Sequence, residues 1–259
     1  MKKIALITGA STGIGKELAK IHAEKGGDLV IVARSEDKLK ALQTELETTH
    51  KVNVTVIAKD LMDPTATQEI YDEIKTANIK IDYLINNAGF GGLGRFDQQD
   101  LQTSLHMIQL NISALTALSH HFLQDFIARN EGKILNVSST ASFMPGPLQA
   151  VYFATKAYVT FFSNAIAEEL HNTNITVTNL MPGATATEFA STSGMDKTAM
   201  FDKTVSARSV AEDGYKAMLK GSLDVISGLT FSQKIMMKMI PFMPKKMVLK
   251  RIRKMQTAS

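Results

Sequence analysis

Thr8-Gly9-Ala10-Ser11-Thr12-Gly13-Ile14-Gly15 closes the apolar run Ile4 to Ile7 and opens directly onto a helical pattern from Gly15 to Lys25. A glycine-rich turn between a strand and a helix lets the backbone approach a pyrophosphate, whose charge is stabilised by free N–H groups at the helix N-terminus. The spacing is Gly-x-x-x-Gly-x-Gly, not the commoner Gly-x-Gly-x-x-Gly fingerprint. Two readings stand at this point: a dinucleotide seat built from Gly9, Ser11, Thr12, Gly13, Ile14 and Gly15, or a tight turn that binds nothing.

Outward from that turn the alternation repeats. Short apolar, β-branched runs recur at Leu29 to Ala33, Val52 to Ala58, Ile81 to Asn86, Lys133 to Val137 and Ile175 to Leu180. Helical patterns fill the intervals at Ser35 to Thr48, Pro64 to Ala77, Asp100 to Arg129, Ala150 to Leu170 and Ala207 to Leu219. Strand and helix in alternation are the signature of βαβ units and a parallel sheet. Most of the runs are continuously apolar, as strands buried on both faces require, so helices are expected on both sides. No repeat, low-complexity tract or linker divides the body, which predicts one α/β domain over residues 1–230. Residues 184–205, rich in Ala, Thr, Ser and Met without a sustained period, read as a lid or as a plain surface loop with a helical turn.

A second constellation lies mid-chain. Ser139 follows a strand, and Tyr152 and Lys156 stand four apart on a helical pattern, hence on one face. A free phenol has a pKa of ~10 and is a poor base at neutral pH. A nearby ammonium, together with an oxidised nicotinamide, favours the phenolate and makes Tyr152 a usable acid/base. Ser139 is placed to donate a hydrogen bond to a substrate oxygen as charge develops there. Taken singly, Ser139 is equally a helix cap and Tyr152 a half-buried aromatic.

Here the sequence resembles the short-chain dehydrogenase/reductase family, from Lys3 to about Gly228. The matching motifs are Thr8-Gly-x-x-x-Gly-x-Gly, Asn86-Asn-Ala-Gly89, Asn111, Ser139, Tyr152-x-x-x-Lys156 and Pro182-Gly183, in the family's order. The resemblance implies a Rossmann-type doubly wound parallel sheet of about seven strands. It also implies a catalytic tetrad of Asn111, Ser139, Tyr152 and Lys156, with Asn111 holding a water in a proton relay. Lys156 would hydrogen-bond the nicotinamide ribose, Asn87, Ala88 and Gly89 would lie against the cofactor, and Asp60 with Leu61 would border the adenine. Pro182, Gly183, Thr185 and Thr187 would close on the nicotinamide, Thr187 at its carboxamide. Phe143, Met144, Phe189 and Met200 fall in segments that border the nicotinamide end, and they serve an apolar carbonyl substrate or core and lid packing alike.

The cofactor is read from the end of the second strand, Val32-Ala33-Arg34-Ser35. An acid there selects NAD by binding the ribose 2′-hydroxyl. Ala33 offers no carboxylate, Arg34 can pair with a 2′-phosphate as a planar fork, and Ser35 can add a hydroxyl, so NADP(H) is expected and NAD(H) is the alternative. The competing reading makes Arg34 a solvated charge and Ser35 the cap of the next helix. The expected reaction is hydride transfer between NADP(H) and a ketone, aldehyde or acyl-chain carbonyl. An oxidative alcohol or hydroxysteroid-type dehydrogenase and a non-catalytic NADP-binding module are the alternatives.

The chain of 259 residues has a net charge of +4 and no cysteine, which excludes disulfides and thiolate metal sites and suits a cytoplasmic setting. The six histidines form no ligand constellation, so no metal is expected. From Val225 onward there are eight cations, Lys234, Lys238, Lys245, Lys246, Lys250, Arg251, Arg253 and Lys254, and no acid; the body before it carries −4. Residues 231–259 therefore read as a basic amphipathic extension, suited to a membrane surface or an acidic partner. The other reading folds it back as an ordinary helix pair. Nucleic acid is not expected, since no recognition fold accompanies the charge. The long helical segments Asp100 to Arg129 and Ala150 to Leu170 need covering, and the family resemblance implies a homodimer or tetramer through them.

Overall fold

The computed structural model describes residues 2–198, 201 and 203–257. Its strands are β1 (Ile4–Thr8), β2 (Asp28–Ala33), β3 (Val54–Ala58), β4 (Tyr83–Asn86), β5 (Gly132–Val137), β6 (Ile175–Pro182), β7 (Thr185–Ala186), β8 (Val205–Ser206) and β9 (Asp224–Ser227). Seven of them form one parallel sheet in the order β3-β2-β1-β4-β5-β6-β9. The order reverses between β1 and β4, and ligands of open α/β sheets bind at such a switch point, beyond the carboxyl ends of the strands.

Helices α1 (Gly13–Glu24), α2 (Glu36–His50) and α3 (Ala66–Thr76) follow the first three strands. Helices α4 (Leu101–Ile108) and α5 (Leu115–Arg129) lie between β4 and β5, α6 (Ala150–Glu169) between β5 and β6, and α7 (Glu188–Ser193) and α8 (Ala207–Lys220) between β6 and β9. Successive strand residues point to opposite faces. Ala5 and Ile7 of β1 accordingly join Leu18, Leu42 and Met218 of α1, α2 and α8, while Leu6 joins Ile70, Phe122 and Phe126 of α3 and α5. The two-faced burial expected of continuously apolar runs is present.

Three local features differ from the sequence reading. Strand β3 starts at Val54, not Val52, because the Asp28 carboxylate takes the Asn53 backbone N–H (2.8 Å) and side-chain amide (3.2 Å) and turns the chain there. Strand β9, with one acid and one serine in four residues, has no run long enough to read. The pattern from Asp100 to Arg129 is not one regular helix: a π-helical turn, Gln109–Ala114, separates α4 from α5. Among the described residues of 184–205, Thr185–Ala186 pairs in a short parallel ladder with β8, and α7 supplies the helical turn of the surface-loop reading.

Beyond Gly228 the chain makes α9 (Phe231–Met239), opened by a capping box between Thr230 and Gln233, and α10 (Lys245–Gln256). The turn Ile240–Phe242 and Pro244 separate them. Val248 and Ile252 of α10 are buried in the same apolar cluster as Met107, Ala141, Tyr152 and Phe153. Among the described residues no helix is long and apolar enough to cross a membrane.

Candidate active site

The turn after β1 meets the N-terminus of α1 with its polar groups free. Thr12 occupies the N-cap in extended conformation, yet its side chain makes no capping bond, and the first turn holds no acid. The leading N–H groups of α1 are thus available to an anion. A Cβ on Gly15 would collide with the Gly9 carbonyl and the Asn87 amide, so no larger residue fits. Gly9 sits at φ +65°, the left-handed region that favours glycine.

Asn87 holds this turn rather than projecting from it. Its Nδ2 donates to the carbonyls of Thr8 (3.0 Å) and Gly9 (3.2 Å). The Thr8 hydroxyl in turn accepts the Asn87 and Ala88 N–H groups, each at 3.0 Å. The Asn87 side-chain amide thus braces the glycine turn against which a cofactor is expected. That amide is engaged by backbone, and the following Ala88 and Gly89 form the surface.

Arg34 and Ser35 stand where β2 becomes α2. Ser35 is the N-cap residue by backbone position, but its hydroxyl makes no cap bond, so capping leaves it available. Arg34 Nη1 lies 3.8 Å from Asp60 Oδ2 with both side chains solvated, a weak contact that an anion can displace. Asp60 also accepts the Met62 N–H at 3.0 Å. The Leu61 side chain is buried in the sheet core, which leaves only its backbone for a neighbouring ligand.

Three separate elements bring Asn111, Ser139, Tyr152 and Lys156 to one place. Asn111 lies on the π-helical turn, fully buried. Its Nδ2 donates to the Phe90 carbonyl and to Thr155 Oγ1, both at 3.0 Å, and its Oδ1 accepts the Phe90 N–H at 3.1 Å. The side chain so ties the loop after β4 to α6. Ser139 caps the short turn Thr140–Phe143, accepting the Ala141 N–H at 3.1 Å, and its hydroxyl is near enough to the Tyr152 phenol to oppose the effect of burial on it. The capping alternative for Ser139 is thus realised together with the tyrosine contact.

Tyr152 and Lys156 project from the first turns of α6. The Lys156 ammonium donates to the Val137 carbonyl at 2.9 Å and lies 5.9 Å from the Tyr152 ring centre. Tyr152 is only 8% exposed, with the Phe189 ring 5.4 Å away. Burial pushes its phenol up to about 12, against the opposing effect of the Ser139 hydroxyl, and pushes the Lys156 ammonium down to about 8. The expectation of a lowered phenol rested on a nearby ammonium together with an oxidised nicotinamide; the chain's own groups alone move it the other way. Desolvation of both groups outweighs their attraction, because water is excluded by Phe153, Phe189 and α10, and the ammonium bonds a carbonyl instead of the phenol.

The last strand end completes the site. Pro182 ends β6, and the Gly183 N–H bonds Ser227 on β9 at 3.0 Å. Thr185 is buried, its hydroxyl donating to the Gly183 carbonyl at 2.9 Å. Thr187 caps α7 by accepting the Phe189 N–H at 3.3 Å, and its methyl stands beside Gly13. Of the residues expected at the substrate end, Met144 and Phe189 pack against the Tyr152 cluster, and Phe143 ends its turn half-buried. Met200 lies outside the described residues.

Thr8, quoted above only as part of the glycine motif, and Thr155, Val248 and Ile252 were not singled out as site residues. The first two carry a signal, a hydroxyl inside an apolar run or one turn from Tyr152. The last two carry none, since nothing in a basic tail announces which strand end it covers. Among the described residues no group of three or more His, Asp or Glu is placed to hold a metal ion.

A family model described as short chain dehydrogenase matches residues 3–198. The human very-long-chain 3-oxoacyl-CoA reductase is 35% identical over 192 residues, 72% of this chain and 60% of that protein. The chain thus spans about 60% of the length of the first curated relatives it matches. Among solved structures, a short-chain dehydrogenase from Sphingobium yanoikuyae in complex with NADPH superposes with a TM-score of 0.83 at 31% identity, covering 90% of each chain. A bulky-bulky ketone specific alcohol dehydrogenase from Comamonas testosteroni gives 0.80 at 29% identity, covering 93% of this chain and 92% of that one.

Proposed function

From the premise that the chain belongs to the short-chain dehydrogenase/reductase family, we propose that it reduces an apolar ketone, aldehyde or acyl-chain carbonyl with NADPH. The observation that carries this is the convergence of a pyrophosphate-sized glycine turn with Asn111, Ser139, Tyr152 and Lys156 beyond the carboxyl ends of the strands at the switch point. The relatives' own names, a 3-oxoacyl-CoA reductase and a ketone-specific dehydrogenase, support a carbonyl substrate.

The residues fit a phosphorylated dinucleotide. Free amides of α1 with Ser11, Thr12, Gly13, Ile14 and Gly15 would hold the pyrophosphate, and Arg34 with the unbonded Ser35 hydroxyl the 2′-phosphate. Asp60 and Leu61 would border the adenine, and Ala88, Gly89, Pro182, Gly183, Thr185 and Thr187 the nicotinamide half, Lys156 reaching its ribose. When bound, the cofactor supplies the hydride. Everything else falls to the chain.

Ser139 donates a hydrogen bond to the substrate oxygen and holds the carbonyl within reach of the phenol. The Tyr152 O–H gives its proton to that oxygen as negative charge develops, leaving a phenolate. A phenol held protonated by burial is already in the form that donates. The Lys156 ammonium stabilises the phenolate electrostatically, and Asn111, by anchoring Phe90 and Thr155, keeps the catalytic helix and the loop after β4 in register. A relay water at Asn111 belongs to the same reading. Met107, Ala141, Phe153, Phe189, Val248 and Ile252 make the surroundings apolar, which favours a lipophilic carbonyl compound.

Two further parts of the reading concern partners. A second copy would cover α5 and α6, where Phe161 is 73% exposed and Ile127 and Tyr158 are also solvated. The same face holds a concavity of about 490 Å³ lined by Ile112, Thr116, His120 and Tyr158. The basic segment beyond residue 230 would meet a membrane surface from a cytoplasmic setting. The test of the reaction is a panel of ketones, aldehydes and secondary alcohols followed by nicotinamide absorbance with both cofactors. Turnover faster with NADPH on apolar ketones is expected, and no turnover of any member would overturn the reading.

A further inference from the structure

The segment beyond Gly228 carries a face that the fold leaves uncovered. No described residue of α9 is fully buried. Phe231, Ile235 and Met239, four apart, line one stripe of it, with Phe231 80% exposed, and Phe242 in the next turn is 82% exposed. Helix α10 is built the opposite way. Val248, Ile252 and Gln256, also four apart, are buried, which turns Lys246, Lys250, Arg253 and Lys254 outward. No described carboxylate lies within ion-pair distance of any of the eight cations of this segment.

We propose that α9, the turn Ile240–Phe242 and α10 dock on an anionic lipid surface. The exposed phenylalanines enter the acyl boundary and the outward cations meet the headgroups. An apolar stripe set among cations with no described ion-pair partner suits a surface that offers an apolar phase and negative headgroups together. A free polyanion uses the cations but has no use for Phe231 and Phe242. A second copy of the segment is disfavoured by charge, since it would bring two sets of eight cations together. Because the inner face of α10 belongs to the Tyr152 cluster, docking sets the substrate side of the site against the bilayer. That a lipophilic carbonyl compound then enters from the lipid rests on the function proposed above, whereas the docking itself does not.

The experiment is co-sedimentation of the full chain with phosphatidylcholine vesicles, with and without phosphatidylglycerol, at low and high salt. It compares the native sequence with Phe231→Ser/Phe242→Ser and with Lys246→Gln/Lys250→Gln/Arg253→Gln/Lys254→Gln, thermal melting showing that each is folded. Phe242→Ser alone, which removes a solvated ring, serves if the double variant melts early. The native chain is expected to pellet with the anionic vesicles at low salt only. Each lost cation weakens partitioning roughly fivefold, so the four-cation variant loses about several hundredfold. The serine variants bind weakly as well. Absence of pelleting at low salt overturns the proposal. Equal pelleting by the serine variants, with displacement by polyglutamate or duplex DNA, overturns it in favour of an acidic partner. Loss of self-association in lipid-free solution by the serine variants, without change in pelleting, overturns it in favour of a second copy.

Discussion

A single hydroxyl separates two enzymes that otherwise pack alike. Tyr152→Phe removes the proton donor and almost no volume, so hydride transfer should fall to a few per cent or less while NADPH binding stays near normal by fluorescence titration. Retention of substantial turnover would reassign the acid. Lys156 carries a second expectation, on stability. Its folded value of about 8 lies below the ordinary lysine value of 10.5, so between those two pH values the unfolded chain binds more protons and stability rises with pH. The stabilisation is present above the unfolded value and lost as pH falls through about 8. A shift of that size corresponds to roughly 3 kcal/mol. Lys156→Met should therefore melt higher at neutral pH, by about 1–3 kcal/mol once the unpaired Val137 carbonyl is counted, and lose the rise between those pH values. An unchanged slope in the variant would contradict this. Ser139, Tyr152 and Lys156 could be picked out in the sequence only through the family resemblance, since singly each had an ordinary structural reading. The direction in which burial moves the phenol was not legible there, because it depends on Phe189 and α10, distant in sequence from Tyr152.

Elements set what each of those residues can reach. The π-helical turn widens the helix between α4 and α5 and aims Asn111 at Phe90 and Thr155. Helical periodicity cannot report one inserted residue in a pattern of this length. Strand β9 was missed because its four residues begin on an acid and end on a serine, leaving only Val225 and Ile226 as an apolar signal. The other six strands of the sheet and the glycine turn were readable because apolar runs and helix-starting glycines are local signals. Cofactor choice also belongs to this scale, since Arg34 and Ser35 sit at the junction of β2 and α2 with side chains free of structural work. Ala33→Asp combined with Arg34→Ala should shift the NADPH to NADH preference by about tenfold to hundredfold, read as the ratio of kcat/KM values. A native chain that already favours NADH would sink that assignment.

Among the described residues two faces are left open by the fold itself, the exposed C-terminal segment proposed to dock on lipid and the α5 and α6 surface. For the latter, Phe161→Glu would put a charge at the centre of an apolar contact, and sedimentation at micromolar concentration should move from a dimer or tetramer to the 28.3 kDa monomer. A native chain that sediments as monomer removes the basis for the variant. Assembly was expected from helix length, but the concavity beside His120 was not readable, since it arises from side chains of two helices. The tie between Thr8 and Asn87 has a consequence for how the molecule meets its first ligand. The pyrophosphate turn is already fastened to the end of β4 by four hydrogen bonds, so little chain entropy is left to be lost when a nucleotide arrives. Association is then governed by diffusion and charge, and the residence time of the nucleotide by how many of its own bonds must break at once.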